Sequence, residues 1–142
     1  MKKIFLAGII QGSARDKSIH SQDYREMIKT IISDALPDAV VIDPYDGHQD
    51  SVNYDDSKGK AVFEMALENI RRSDLVIAFL PCASMGTAIE LWECYRTGIP
   101  VWSITEMKDN WIVRFCSEKI FENIESFAEY LGEYKVIPVK KR

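Results

Sequence analysis

Four short apolar runs punctuate the chain: KIFLAG (3–8), AVVID (39–43), DLVIAFL (74–80) and PVWSI (100–104). Each is strand-length and apolar throughout rather than alternating, the pattern of a strand buried on both faces. Amphipathic segments lie between them. SQDYREMIKTIISDAL (21–36) places Tyr24, Met27, Ile28, Ile31 and Leu36 on roughly one side of a helix, with Ser21 as N-cap and Pro37 just past the end. AVFEMALENIRRS (61–73) and GTAIELWECYRTG (86–98) read as two more helices, and the polar stretch 44–59 reads as a loop. Beyond Ile104 come a short helix (110–116), a brief strand (119–122) and a final helix (124–134). Strand and helix alternating at this spacing imply βαβ crossovers. The expectation is one α/β domain over residues 1–142, doubly wound in the Rossmann-like or flavodoxin-like manner. Its parallel sheet has about five strands, with helices on both faces.

Composition narrows the class. A formal net charge of −4 gives no basic surface for nucleic acid, and the terminal KKR (140–142) reads as a solvated end. Cys82, Cys94 and Cys116 are odd in number and without CxxC spacing, which points to a reducing compartment and small apolar thiols. Two histidines in separate segments, His20 and His48, make a histidine-based metal site an unsuitable reading, so no metal is expected. The opening MKKIFLAGIIQGSA has the ingredients of a signal peptide, but its apolar run is minimal and carries a glycine. A buried first strand ending at Gly8 explains it as well, and the expected location is cytoplasmic. No apolar stretch approaches the ~20 residues of a membrane span, so no membrane partner is expected.

In a doubly wound sheet, ligands bind outside the carboxyl ends of the strands, where strand order reverses. The segments expected there are GIIQGS (8–13), DPYDGHQD (43–50), PCASMGT (81–87) and TEMKDN (105–110). Gly86 and Thr87 open a helix whose free N–H groups attract an anion such as phosphate, and Ser84 adds a hydroxyl donor. Gly8, Ile9, Gln11 and Gly12 form a second small-residue turn, with Gln11 as donor and acceptor. It is neither GxGxxG nor a P-loop. Glu90 is expected in the opening turn of its helix, where the positive end favours the ionised form and the side chain leans toward the pocket mouth. An ionised, positioned carboxylate can attack an anomeric carbon. It can equally be a plain acid satisfying the helix dipole.

KIFLAG together with SDLVIAFLPCASMGTAIELWECYRTGIPVW (73–102) resembles the nucleoside 2-deoxyribosyltransferase superfamily: a first strand ending in glycine, then GT-x-x-E and G-x-P-V. The resemblance implies that Glu90 is the nucleophile at the sugar C1′ and that no cofactor is used. It also implies a small nucleoside or nucleotide as partner and a homodimer or larger assembly. Six residues before the glutamate, transferases of the superfamily carry an acid and the monophosphate hydrolases a phosphate-binding serine; here stands Ser84. The implied activity is hydrolysis of the N-glycosidic bond of a nucleoside 5′-monophosphate.

Other positions depart from the pattern. The assisting aspartate of the preceding helix corresponds to Ala66, a first-strand tyrosine to Phe5 and the first-loop phosphate arginine to Gln11. Glu64 and Glu68 fall on the wrong face of their helix to replace that aspartate. Asp43, Asp46 and His48 are candidates to give a proton to the leaving base, or are turn residues. Tyr45 is the candidate to stack on the base. In the superfamily the segment after the fourth strand reaches a neighbour's pocket, which makes Arg114 a candidate replacement for the missing arginine. Two alternatives stand beside this reading: a nucleotide-binding or regulatory protein on the same fold, or a nucleoside deoxyribosyltransferase. A phosphoribohydrolase of the lysine-decarboxylase-like type shares a segment like SMGTAIE but has a second glycine and an arginine pair that this chain lacks.

Overall fold

Alternate residues of the first strand leave the sheet on opposite sides and reach two separate cores. The computed structural model describes residues 1–139, so the KKR end lies outside the described residues. In chain order the elements are β1 (Lys3–Gly8), α1 (Asp23–Ala35), β2 (Val40–Ile42), α2 (Asp56–Arg71), β3 (Leu75–Phe79), α3 (Met85–Thr97), β4 (Val101–Ile104), α4 (Trp111–Cys116), β5 (Lys119–Phe121) and α5 (Ile124–Tyr134). A 3-10 turn, Ser51–Asn53, interrupts the second loop. Ile4 and Leu6 pack with Leu75, Ile77 and Trp102 against Ile28 and Ile32 of α1 and Phe127 and Leu131 of α5. Phe5 and Ala7 pack with Val76 and Ala78 against Ile70 of α2, Leu91 and Cys94 of α3 and Val113 of α4. This period-two division is what a strand between two helical layers requires.

The sheet has five strands in the order β2-β1-β3-β4-β5, every pairing parallel. This is the flavodoxin-like doubly wound order, and its switch point lies between β1 and β3. Ile4 pairs with Leu75 and Gly8 with Phe79, so the ends of these two strands are level at that point.

Two boundaries and one helix face differ from the sequence expectation. Helix α1 is capped at Gln22, without a side-chain cap bond, rather than at Ser21. Its buried stripe is Tyr24, Arg25, Ile28 and Ile32, while Met27 is about half exposed. An arginine takes an inward position because four acceptors meet it there: Gln22 Oε1, Asp43 Oδ1 and the carbonyls of Leu6 and Gly8. Helix α2 begins five residues earlier than the apolar pattern suggests, because Asp55 accepts from Lys58 N and turns DSKG into the first turn rather than loop. Among the described residues, no helix is long and apolar enough to cross a membrane.

Candidate active site

Beside the switch point is a hollow of about 330 Å³, lined by Gly8, Gln11, Gly12, Ser51, Ser84, Gly86, Thr87 and Glu90 among others. Its first wall is the end of β1. A Cβ on Gly8 would sit 2.3 Å from the Tyr24 hydroxyl, so this position must be glycine for α1 to close against the strand. Past it the chain is held by backbone: Ile9 N donates to Phe79 O, and Tyr24 Oη and Gln22 Nε2 both donate to Ile9 O. Gly12 then turns with φ +60°, and a side chain there would meet Ile9 and His20. The second wall is the start of α3. Ser84 is its N-cap: Ser84 Oγ accepts from Thr87 N at 3.2 Å and Ser84 O from Ala88 N at 3.0 Å. Ser84 is therefore first a cap, and it also lines the hollow.

Because the cap is Ser84 and Met85 is the first helical residue, Glu90 falls in the second turn, not the opening one expected from the sequence. The helix-end effect fades within the first turn, and the environment decides instead. Glu90 is half-buried as a residue, but its Oε2 is withdrawn from solvent and has no hydrogen-bond partner. Burial pushes its carboxyl up to about 8, against the opposing pull of the Arg25 guanidinium. The expected preference for the ionised form is thus reversed below that pH. Thr87 Oγ1, one turn earlier, is also buried and without a partner. Glu90 is the hollow's one ionisable lining residue among those described.

The second-loop candidates stand elsewhere. Asp43, Tyr45 and Asp46 line a separate hollow of about 510 Å³ with His20, Gln22 and Arg25. Asp43 is buried there and engaged: Arg25 Nη1 lies 2.7 Å from Oδ1, Lys29 Nζ lies 2.9 Å from Oδ2, and Tyr45 N donates to Oδ1. Asp46 is exposed and paired with Lys29. Arg25 also lies over the Tyr45 ring. His48 shares a 2.9 Å hydrogen bond with Tyr54. The second loop reaches the Glu90 hollow through Ser51 and Val52 instead. Ile9 is a core residue whose backbone, not its side chain, serves the site. Arg114 is exposed on α4, its guanidinium over the Phe115 ring. Ala66 packs against the core beneath α2, and Phe5 is fully buried, so neither faces the hollow. Glu64 and Glu68 are exposed.

Neither a family model nor a curated protein matches the sequence. Solved structures do. A 2-deoxyribosyltransferase from Bacillus psychrosaccharolyticus superposes with a TM-score of 0.71 at 20% identity, covering 99% of this chain and 98% of that one. The chain has the 2-deoxyribosyltransferase fold. The CMP N-glycosidase BcmB of Clostridium botulinum shares that fold at a TM-score of 0.52 and 19% identity, over 94% of this chain and 99% of its own. A conserved protein from Enterococcus faecalis V583 does so at 0.55 and 23%, over 94% and 87%.

Sequence reasoning missed Ser51, Val52, Tyr24 and Arg25. The first two sit in a turn-rich loop with no periodicity to place them. Tyr24 and Arg25 carried a weak signal: Arg25, Ile28 and Ile32 fall at i, i+3 and i+7, one helix face.

Proposed function

We propose that this protein hydrolyses the N-glycosidic bond of a nucleoside 5′-monophosphate and belongs to the nucleoside 2-deoxyribosyltransferase superfamily. The observation that carries this reading is Glu90, a carboxyl with an unpaired buried oxygen, in a hollow at the switch point of a 2-deoxyribosyltransferase fold. In its ionised form Glu90 attacks C1′. The C1′–N bond breaks, its electron pair goes to the base, and the departing nitrogen takes a proton from water. Water then adds to C1′, releases Glu90 as the carboxylate and gives up a proton, leaving base and sugar 5-phosphate. Ser84 and the backbone N–H groups of Met85 and Gly86 receive the phosphate at the start of α3. No cofactor enters the scheme. A panel of nucleoside monophosphates and nucleosides, with free base detected chromatographically, tests it. Base release from monophosphates, and not from nucleosides, is the expected result; release confined to transfer between bases makes the chain a transferase.

A second reading, a nucleotide-binding protein with little turnover, is favoured by the absence of any other ionisable side chain among the described residues lining the hollow. Binding by calorimetry without base release would establish it.

A second copy completes the assembly. Trp92, Tyr95, Trp111 and Phe115 are each more than half exposed on adjoining helices α3 and α4. The stripe Met85, Ile89, Trp92 extends this apolar face to the rim of the hollow. Arg114 stands in it and supplies the phosphate cation in trans. Sedimentation at micromolar concentration is expected to give a dimer or larger; a monomer removes Arg114 from the site.

A further inference from the structure

The two named neighbours differ in the sugar their names imply, 2-deoxyribose in one and the ribose of CMP in the other, so the fold does not decide between them. We infer that the hollow is built for ribose, with Thr87 and Glu90 together holding the sugar's 2′-hydroxyl. The inference rests on the reading of Glu90 as the group that attacks C1′.

Two buried oxygens carry it. Thr87 Oγ1 and Glu90 Oε2 are both without a hydrogen-bond partner, and both residues line the same hollow. They stand three positions apart on α3, which puts them on one face of the helix. A threonine within a helix ordinarily gives its hydroxyl to a carbonyl three or four residues back. Thr87 does not: the Ser84 carbonyl takes Ala88 N–H, and Thr87 Oγ1 bonds to nothing. Buried polar groups left without partners are rare, and two in one hollow call for a ligand group that meets both.

The stereochemistry of a nucleotide says which group that is. The base stands on one face of the furanose ring, and the ribose 2′-hydroxyl on the other. A carboxylate displacing the base approaches from the face opposite it, the hydroxyl's face. With one glutamate oxygen on C1′, the other lies beside C2′. Oε2 is the withdrawn oxygen, which leaves Oε1 to meet C1′. The 2′-hydroxyl then donates its hydrogen to Glu90 Oε2 and accepts one from Thr87 Oγ1. A single group satisfies both orphaned atoms, and 2-deoxyribose satisfies neither. Hydrogen bonds at this hydroxyl also strengthen as a glycosidic bond breaks, so the discrimination acts on turnover as well as binding.

The test compares base release from ribo- and 2′-deoxyribonucleoside monophosphates of the same base, in the natural protein, Thr87→Val and Thr87→Ser. A preference for ribose of about 100-fold or more in kcat/KM is expected, as for a site built around a hydroxyl. Valine keeps the branched shape and loses the hydroxyl, so the preference should fall about tenfold or more while the melting temperature holds. Serine should keep the preference. A preference for deoxyribose, or one unchanged by valine, overturns the inference. Calorimetric titration with ribose 5-phosphate and with 2-deoxyribose 5-phosphate judges it without any turnover. Tighter binding of ribose 5-phosphate supports it even if no nucleotide is cleaved and the hydrolase reading fails; equal affinities overturn it even if cleavage occurs.

Discussion

Two hollows open at the same edge of the sheet, each with an acid in its wall, and the acids live in opposite surroundings. Asp43 has a guanidinium at 2.7 Å, an ammonium at 2.9 Å and a backbone N–H; its Oδ2 makes no hydrogen bond of good geometry, but two cations within 3 Å match its charge. Glu90 has an oxygen with no partner and a carboxyl pushed up to about 8. Glu93, on the same helix, repeats the first case: burial alone would raise it, but hydrogen bonds from Arg96 and Arg71 bring it below the usual carboxylate range. A buried acid whose charge is matched holds the fold together. One left unmatched costs stability, which makes it a candidate to act on a ligand. The difference separates Asp43 from Glu90, which the sequence alone places at the same edge of the sheet.

The sharpest way to break this contrast is Glu90→Gln. The amide keeps the shape and cannot attack C1′, so base release should fall by about four orders of magnitude or more, as when a nucleophile is removed. Near-normal release in that variant would take Glu90 out of the chemistry.

Arg25→Met attacks the other hollow. It leaves Asp43 buried with Lys29 alone, and loss of one partner of a buried pair costs about 3–5 kcal/mol. Urea unfolding should show this, and Asp43→Asn in the same chain should restore most of it. If Arg25→Met unfolds no more easily than the natural protein, the pair is not structural.

The smallest effect links the two sites through pH. Glu90 must lose its proton to attack, so kcat/KM should rise about tenfold per pH unit up to about pH 8 and then level. Arg25 pulls that value down, so in Arg25→Met the rise should move to higher pH. Stability runs the other way. The folded state holds the Glu90 proton from the ordinary 4.5 up to about 8, so this residue's contribution falls as pH rises through that window. Glu90→Gln should therefore gain on the natural protein between pH 5 and pH 8.5 in urea unfolding. A constant difference between the two would mean that Glu90 titrates normally.

How much of this was legible depended on whether one segment held the information. The runs 3–8 and 74–80 are strands because nothing but a two-sided core suits them, and the sheet followed from their spacing. SMGTAIE was legible as a helix start, but the cap at Ser84 moves that start one residue earlier and puts Glu90 in the second turn. Asp43 was misplaced because its role is set by Arg25, eighteen residues away on another element, and no local pattern states that pairing. The start of α2 was missed for the opposite reason. DSKG looks like a turn, and a single cap bond from Asp55 makes it a helix.

The pairing of β1 with β3 joins residues 71 positions apart in the chain, Ile4 with Leu75. The walls of the Glu90 hollow are the segments that follow those two strands, with Ser51 and Val52 of the second loop, so no fragment that lacks either strand can possess it. Closing that long loop must come first, at an entropic cost that grows only slowly with its length. A molecule that fits the hollow therefore favours the folded chain over any state in which β1 and β3 are unpaired. At a concentration of 100 times its Kd it would stabilise the native state by about 2.7 kcal/mol. Thermal shift alone can thus screen for what this protein binds, with no reaction to follow.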